Sequence, residues 1–498
     1  MKRILLLHFA AALLTLTANA AIRTGFAERD ITPEVGMEVP GNYGKVFSTR
    51  IHDPCKVRAS VFDDGKQRVA LVGIDALFIG REMTLEVRKA VREKCGIEHV
   101  LIGASHSHSS GPIGIGKPGE WDDAPPLLKD LIVNKSPAGH PGYMAKVQAA
   151  LIDVIVAADG ARAEGTVGFG VGHEPTVGFN RRIKMKDGLA FSHPGKGNPN
   201  NVDYAGPTDP QVGVIGAWDP DGKLIGCIVN FACHATTSGP WVSANWIYYL
   251  ERAIQGYFGK AAVVVFLQGA SGDVTQVDNL DPHSNPEGDA WAQFVGGRVG
   301  AEAVKVLLGM SQTRTAEVPL AAKEKVWTIA RRPPAPERVK AAYELAAKDP
   351  KDAGPDWVWA KETVILDAII KKAPQVEVEV QAVQIGPVVC LSNPAEYFCQ
   401  YGLDLKKGSG FPMTFPVELA NGAVGYVPTE EAFGPNGGGY ETRLTSYSNL
   451  EITAGRQMRD ASLELARQLT PAKLPTRPLA PPFKAEGWSF GSVPPQLQ

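Results

Sequence analysis

The chain has 498 residues, 51 Lys and Arg against 53 Asp and Glu, a formal net charge of -2 and 44% hydrophobic residues. That length can bury a large core and hold more than one domain. The near-neutral balance gives no basic footprint, which excludes nucleic acid as an expected partner.

At the N-terminus Lys2 and Arg3 precede an apolar run from Ile4 to Leu16, and Ala18-Asn19-Ala20 follows. A charged start, a short apolar stretch and a small-residue cleavage site mark a secretory signal peptide over 1–20. The mature chain is expected to begin near Ala21 and to be secreted or periplasmic. The run is short for a bilayer span, and no later segment reads as long and apolar enough, so no stable membrane span is expected. Cys55, Cys95, Cys227, Cys233, Cys390 and Cys399 allow fifteen pairings, among which spacing does not choose. The absence of C-x-x-C argues against a thiolate zinc site.

Strand-like apolar runs follow at 68–75, 99–106, 212–218, 224–234, 261–268, 376–385 and 388–392. Asp219-Pro220-Asp221-Gly222 and Gly386-Pro387 supply turn chemistry that makes hairpins of two adjacent pairs. Helical patterns lie between them at 84–95, 143–158, 245–258, 290–308, 336–347 and 453–469. Helices interleaved with hairpins and single strands give an α/β fold class, with α+β as the alternative: a mixed sheet flanked by helices. One catalytic domain is expected over 21–470, with a charged helical insertion or cap at 316–372 and a Pro-rich tail at 471–498. No internal repeat is visible.

Chemistry clusters where the strands end. The apolar run His99-Val100-Leu101-Ile102 opens into Ser105-His106-Ser107-His108-Ser109. Two imidazoles two residues apart project to one side of an extended backbone. Imidazole is both the commonest metal ligand and the usual base near neutral pH, although a polar loop with two surface histidines is the plainer alternative. His234 closes the run 224–234, the loop from Gly269 to Asp273 follows 261–268, and Glu396 follows 388–392. Glu396 is expected in the first turn of a helix opened by Asn393-Pro394, where an acid also suits the helix dipole. Ligands gather outside strand ends in open sheets. Two histidines and a carboxylate with one open position form a hydrolytic zinc set.

With the segments around His106, His234 and Glu396, the stretch Gly25–Pro33 and the pair Tyr440-Glu441 make five motifs, and together they carry a resemblance to the neutral/alkaline, non-lysosomal ceramidase family of zinc-dependent amidases. Gly25-Phe26-Ala27-Glu28-Arg29-Asp30-Ile31-Thr32-Pro33 is similar to its opening G-x-x-x-x-D-I-T-P, and the segment from Ser105 to Ser109 to its T-H-T-H-S. Phe231-Ala232-Cys233-His234-Ala235-Thr236 resembles F-A-x-H-x-T, Pro394-Ala395-Glu396 resembles P-G-E, and Tyr440-Glu441 the late Y-E. The resemblance implies one zinc ion per chain held by His106, His234, Glu396 and Tyr440, with His108 as proton shuttle. Arg181, in an N-R element, is implied to hydrogen-bond the substrate carbonyl or oxyanion.

The family's G-D-V-S-P-N is replaced by Gly272-Asp273-Val274-Thr275-Gln276-Val277. Thr275 therefore stands where the family has a serine, with Ser271 and Asp273 beside it as expected substrate contacts. Fewer than sixty residues follow Tyr440, so no C-terminal β-sandwich domain is expected. The implied activity is zinc-dependent hydrolysis of small N-acylated substrates, lipid amides among them. Gly269-Ala270-Ser271-Gly272 approaches a nucleophile elbow and keeps a serine hydrolase on Ser271 as the alternative. A catalytically inactive ligand-binding homologue is the other.

Overall fold

The computed structural model describes residues 21–114, 119–237, 239–483 and 494–498. The signal peptide expected at 1–20 lies outside them. The fold is mixed α/β, and among the described residues its larger sheets number three.

The three sheets repeat one strand plan. The first takes Arg23–Asp30, Lys56–Asp63, Arg68–Ile74 and His99–Ala104 in that spatial order. The second takes Thr166–His173, Gln211–Trp218, Leu224–Phe231 and Val263–Gln268, and the third Leu320–Ala330, Gln375–Ile385, Val388–Ser392 and Met413–Val417. In each, the first three strands run antiparallel and the fourth lies parallel to the third. A parallel neighbour needs a crossover. Helices Arg81–Cys95, Trp246–Phe258 and Cys399–Gly408 provide the three crossovers. The sequence shows no repeat because the modules share hydrogen-bond topology and helical crossovers, not residue identities.

Outer faces carry helices and inner faces meet each other. Helices Arg81–Cys95 and Pro141–Gly160 cover the first sheet through Val87, Val91, Val147 and Leu151. Ile247, Leu250, Val295 and Val299 do the same for the second sheet, and Leu405, Met458 and Leu465 for the third. Leu71, Leu101, Ile228, Val265, Val388 and Phe415 then form one shared core between the sheets. Each fully buried side chain of this size stabilises by about 1.5–3 kcal/mol. The sheets approach so closely that a Cβ on Gly73 would stand 2.4 Å from the Phe266 carbonyl oxygen. Only glycine fits there.

Helix Pro141–Gly160 is, by length and composition, apolar enough to cross a membrane, contrary to the sequence expectation. Here Tyr143, Val147, Leu151, Val154 and Ile155 are buried against the first sheet, so its apolar face serves the core. All six cysteines are free thiols. The segment 316–372 is also not wholly helical. Leu320–Ala330 is the edge strand of the third sheet, paired along its length with Gln375–Ile385. Its run Lys323-Glu324-Lys325 is exposed, which gave it a helical, solvent-facing look in sequence. Helices Pro336–Ala346 and Asp356–Lys372 follow, and with Pro126–Val133 they share an apolar cluster of Leu128, Leu131, Trp357 and Val364. Buried Lys361 pins this cluster by donating to the Tyr43 carbonyl oxygen at 2.6 Å and to Ser136 Oγ at 3.0 Å.

The third and fourth strands of every module deliver their ends to one place. Glu418 N donates to the Gln268 carbonyl at 3.0 Å and Ala104 N to the Leu419 carbonyl at 3.2 Å, while His108 N donates to the Ala235 carbonyl at 3.2 Å. The loops of all three sheets are thereby stitched around one end of the core.

Candidate active site

His106, His234 and Glu396 come from three different modules and converge. His106 Nε2 lies 3.3 Å from Glu396 Oε2, and His234 Nε2 lies 3.5 Å from the same oxygen. His108 Nε2 is 3.3 Å from His106 Nε2. The ring nitrogens of His106, His108 and His234 form a cluster of metal-competent donors within 4.8 Å of one another. Glu396 is not in a helix: Glu396–Tyr397 is a short strand parallel to Tyr426–Val427, and the helix begins at Cys399. The Asn393 side chain accepts from Ala395 N and turns the chain before a helix can start.

Backbone carbonyls orient the rings. His106 Nδ1 faces the Leu77 carbonyl at 2.9 Å, His234 Nδ1 the Ser271 carbonyl at 2.8 Å, and His108 Nδ1 the Gly41 carbonyl at 3.2 Å. A carbonyl only accepts, so each Nδ1 carries the hydrogen and each Nε2 presents a lone pair to the cluster. His234 Nε2 and Glu396 Oε2 are buried without a hydrogen-bond partner. His106 holds this position in a left-handed backbone, φ 60°, which a non-glycine residue adopts only where its surroundings enforce it.

The electrostatics suit a cation. Burial opposes ionisation of Glu396, yet the neighbouring His106 and His234 outweigh it and hold the carboxyl well below the usual range. Burial, with Arg181 and His106 nearby, pushes His234 well down. Burial and His106 likewise bring His108 down to about 3. Burial also works against a charged His106, but Glu396 prevails and raises it. The ionised Glu396 and the neutral His234 are deprotonated donors of the kind metal ligation requires, and a cation there would displace the proton that Glu396 favours on His106. The residues fit zinc.

These groups sit in the wall of a cavity of about 750 Å³. Arg181, Thr275 and Tyr440 also line it. Arg181 donates from Nε to Glu441 Oε1 at 2.7 Å and to the Gly272 carbonyl at 2.8 Å, with its guanidinium 5.0 Å from the Tyr440 ring centroid. Tyr426 also lies against the guanidinium, whose five N–H groups are more than these contacts use. Tyr440 reaches the cavity, but its hydroxyl pairs with the Tyr426 hydroxyl at 2.7 Å. Burial raises the Tyr440 phenol well above its ordinary value. Thr275 Oγ1 accepts from Val277 N at 3.2 Å, leaving its hydroxyl hydrogen for the cavity.

Ser271 and Asp273 do not line the cavity, contrary to expectation. Ser271 is fully buried, donating to Glu418 Oε1 at 2.5 Å and accepting from Gln268 Nε2 at 2.7 Å. Asp273 accepts from Asn180 Nδ2 at 2.7 Å and Cys399 N at 2.8 Å. Both sides of each group are spent inside the protein, which corrects their assignment as substrate contacts to loop positioning. A nucleophilic Ser271 fails on the same geometry.

Sequence reasoning missed Tyr426, Glu418, Glu441 and His193. Glu418 directly follows the strand Met413–Val417 and obeys the same strand-end rule as His106. It accepts from Ser271 Oγ and, at 2.7 Å, from Tyr397 N, joining the loop whose Ser271 carbonyl orients His234 to the strand that carries Glu396. Glu441 pairs with Arg181, and nothing in its local sequence signals that.

No family model matches the chain. It is 26% identical over 287 residues to a neutral ceramidase of Pseudomonas aeruginosa, a match spanning 53% of this chain and 38% of that protein's length. The solved structure of a ceramidase complexed with C2 superimposes with a TM-score of 0.68 at 19% identity, over 95% of this chain and 79% of that one. The crystal structure of the Pseudomonas aeruginosa neutral ceramidase gives a TM-score of 0.68 at 20% identity, over 93% and 77%. The fold is shared, and the resemblance to the neutral ceramidase family carried by the five motifs is borne out.

Proposed function

We propose that this protein is an exported zinc-dependent amidohydrolase that cleaves N-acyl bonds of lipid amides or smaller N-acyl amines. The observation that carries the reading is the facing set of His106 Nε2, His234 Nε2 and Glu396 Oε2, the last two buried without a hydrogen-bond partner, against a cavity that Arg181 also lines. Acceptors that close repel unless a cation lies among them. His106, His234 and Glu396 would hold the zinc, with Tyr440 reaching the same cavity. A zinc ion there supplies Lewis acidity and lowers the pKa of water.

The chain's own groups do the rest. His108, neutral near pH 7 and facing the cluster through Nε2, accepts a proton from water and returns it to the leaving amine nitrogen. Arg181 aims its remaining N–H groups at the negative charge that develops on the carbonyl oxygen. Glu441 keeps that guanidinium in place. Phe78, Trp121, Ile365 and Ile369 line the same cavity and offer the acyl group apolar contact. The N-terminal signal-peptide pattern and the likeness to ceramidases support export and the amide-bond class.

The test is metal content and turnover of purified protein. One zinc per chain is expected, with N-acyl hydrolysis lost to a chelator, restored by zinc and abolished in His234→Ala. Undiminished hydrolysis by metal-free protein and by His234→Ala would refute the reading.

A further inference from the structure

Lys361 is wholly buried, which a lysine tolerates only when its ammonium is paired. It lies in helix Asp356–Lys372, and its Nζ gathers acceptors from separate segments. These are the Tyr43 carbonyl at 2.6 Å, Ser136 Oγ at 3.0 Å, the Lys135 carbonyl at 3.3 Å and Glu362 Oε1 at 3.1 Å. An apolar side chain would extend the adjoining cluster of Leu128, Leu131, Trp357 and Val364 without that desolvation cost. What the ammonium adds is a hold on Tyr43.

Tyr43 sits at the tip of a two-stranded hairpin, Glu38–Val39 paired with Val46–Phe47. Residues 41–44 make no backbone–backbone hydrogen bond among the described residues. Side chains hold their carbonyls instead, Lys361 Nζ that of Tyr43 and His108 Nδ1 that of Gly41 at 3.2 Å. Trp359, from the same helix as Lys361, packs edge-on against the Tyr43 ring with centroids 5.5 Å apart. Two peptide units separate the two carbonyls, a span of at most about 7 Å. A shift of the tip at Tyr43 therefore carries Gly41 with it. The Gly41 carbonyl decides which nitrogen of His108 bears the hydrogen. Without that acceptor the hydrogen is free to sit on Nε2, which then has no lone pair to take a proton.

We propose that Lys361 is a positioning residue for the reaction: it holds the hairpin tip so that the Gly41 carbonyl keeps His108 in the tautomer with a bare Nε2. Lys361 does not line the cavity, so it acts only through the tip. The proposal rests on the reading of His108 as the proton carrier.

Lys361→Met keeps the chain length and removes the ammonium. In zinc-loaded protein it should lower kcat on an N-acyl amide by about tenfold, the worth of one lost hydrogen bond, with KM within about threefold of wild type. Ring-nitrogen NMR should show His108 protonated on Nδ1 in wild type and a fraction protonated on Nε2 in the variant. Gly41→Ala disturbs the same hydrogen bond, so adding Lys361→Met to it should cost less than about twofold more. The full loss in both backgrounds, or a loss with the His108 signal unchanged, would mark a purely structural lysine and overturn the proposal. Trp359→Leu, at a half-buried position, loosens the tip and leaves the ammonium in place. It should move kcat by about threefold and the His108 signal in the same direction, and it decides the matter if Lys361→Met does not fold. Wild-type kcat with an unchanged His108 signal in the folded variant also overturns the proposal. A changed signal with wild-type kcat upholds the hold on His108 and refutes the proton-carrier reading instead. If wild type hydrolyses no amide, the His108 signal alone decides.

Discussion

Gly41→Ala tests the role of His108 without altering an imidazole. Gly41 has φ +88°, and a Cβ there would stand 2.2 Å from His108 Nδ1. Carbon packs at about 3.5 Å or more, so ring and loop must separate by about 1.3 Å. The hydrogen bond from His108 Nδ1 to the Gly41 carbonyl, 3.2 Å long, breaks in that movement. The left-handed backbone adds about 1–2 kcal/mol of strain for alanine. Displacing a proton-transfer group by about 1 Å costs roughly 10²-fold in rate. The variant should therefore lose about two orders of magnitude in kcat on an N-acyl amide, retain zinc, and unfold at lower denaturant by about 1–2 kcal/mol. Steady-state kinetics, metal analysis and urea unfolding measure the three effects. Folded, zinc-loaded Gly41→Ala with kcat within about threefold of wild type would show that His108 moves no proton in the reaction.

Ser271→Ala should keep most hydrolytic activity and lose about 1–2 kcal/mol of stability, because the serine bonds buried Glu418 rather than substrate. Stoichiometric fluorophosphonate labelling of wild-type Ser271 would contradict this. Arg181→Lys should lower kcat by roughly 10²–10³-fold with little change in zinc content, since an ammonium cannot bond both Glu441 and the Gly272 carbonyl and still reach the cavity. Unchanged kcat would remove Arg181 from the reaction. Glu379 bonds Arg81 and Arg88; burial works against its charge, but the two guanidiniums prevail and depress its carboxyl. A depressed acid stabilises above its unfolded value of about 4.3 and loses that contribution as pH falls through the folded value. Glu379→Gln should therefore cost about 3 kcal/mol at pH 7, with the gap from wild type shrinking below about pH 4. Urea unfolding at several pH values reads it, and a gap independent of pH would refute the ion-pair account.

Much was legible in the chain. The crossover helix read at 245–258 is Trp246–Phe258, and the strand 388–392 is Val388–Ser392. These elements announce themselves because their apolar positions are near in sequence. Lys56–Asp63 was invisible for a physical reason. Its Lys56 and Arg58 look solvent-facing, yet Arg58 is buried against Asp75 and Glu251, carboxylates brought by other elements. The strand Thr166–His173 is diluted by Gly168, Gly170 and Gly172, where helix Asp289–Gly309 and the residues after it press against the backbone. Glu396 was found, but its local setting was misread, because pairing with Tyr426–Val427 overrides helical propensity.

His106, His234, Glu396 and the neutral charge balance are properties of the sequence, since strand ends and ligand types can be read from local pattern. Convergence is not local. Three sheets must pack on one core before their ends share a point, so the facing Nε2 and Oε2 atoms exist only in the fold. The same holds for Ser271, which reads as an exposed nucleophile and is fully buried against Glu418. Residue type is encoded one position at a time, while burial and pairing depend on contacts far apart in the chain.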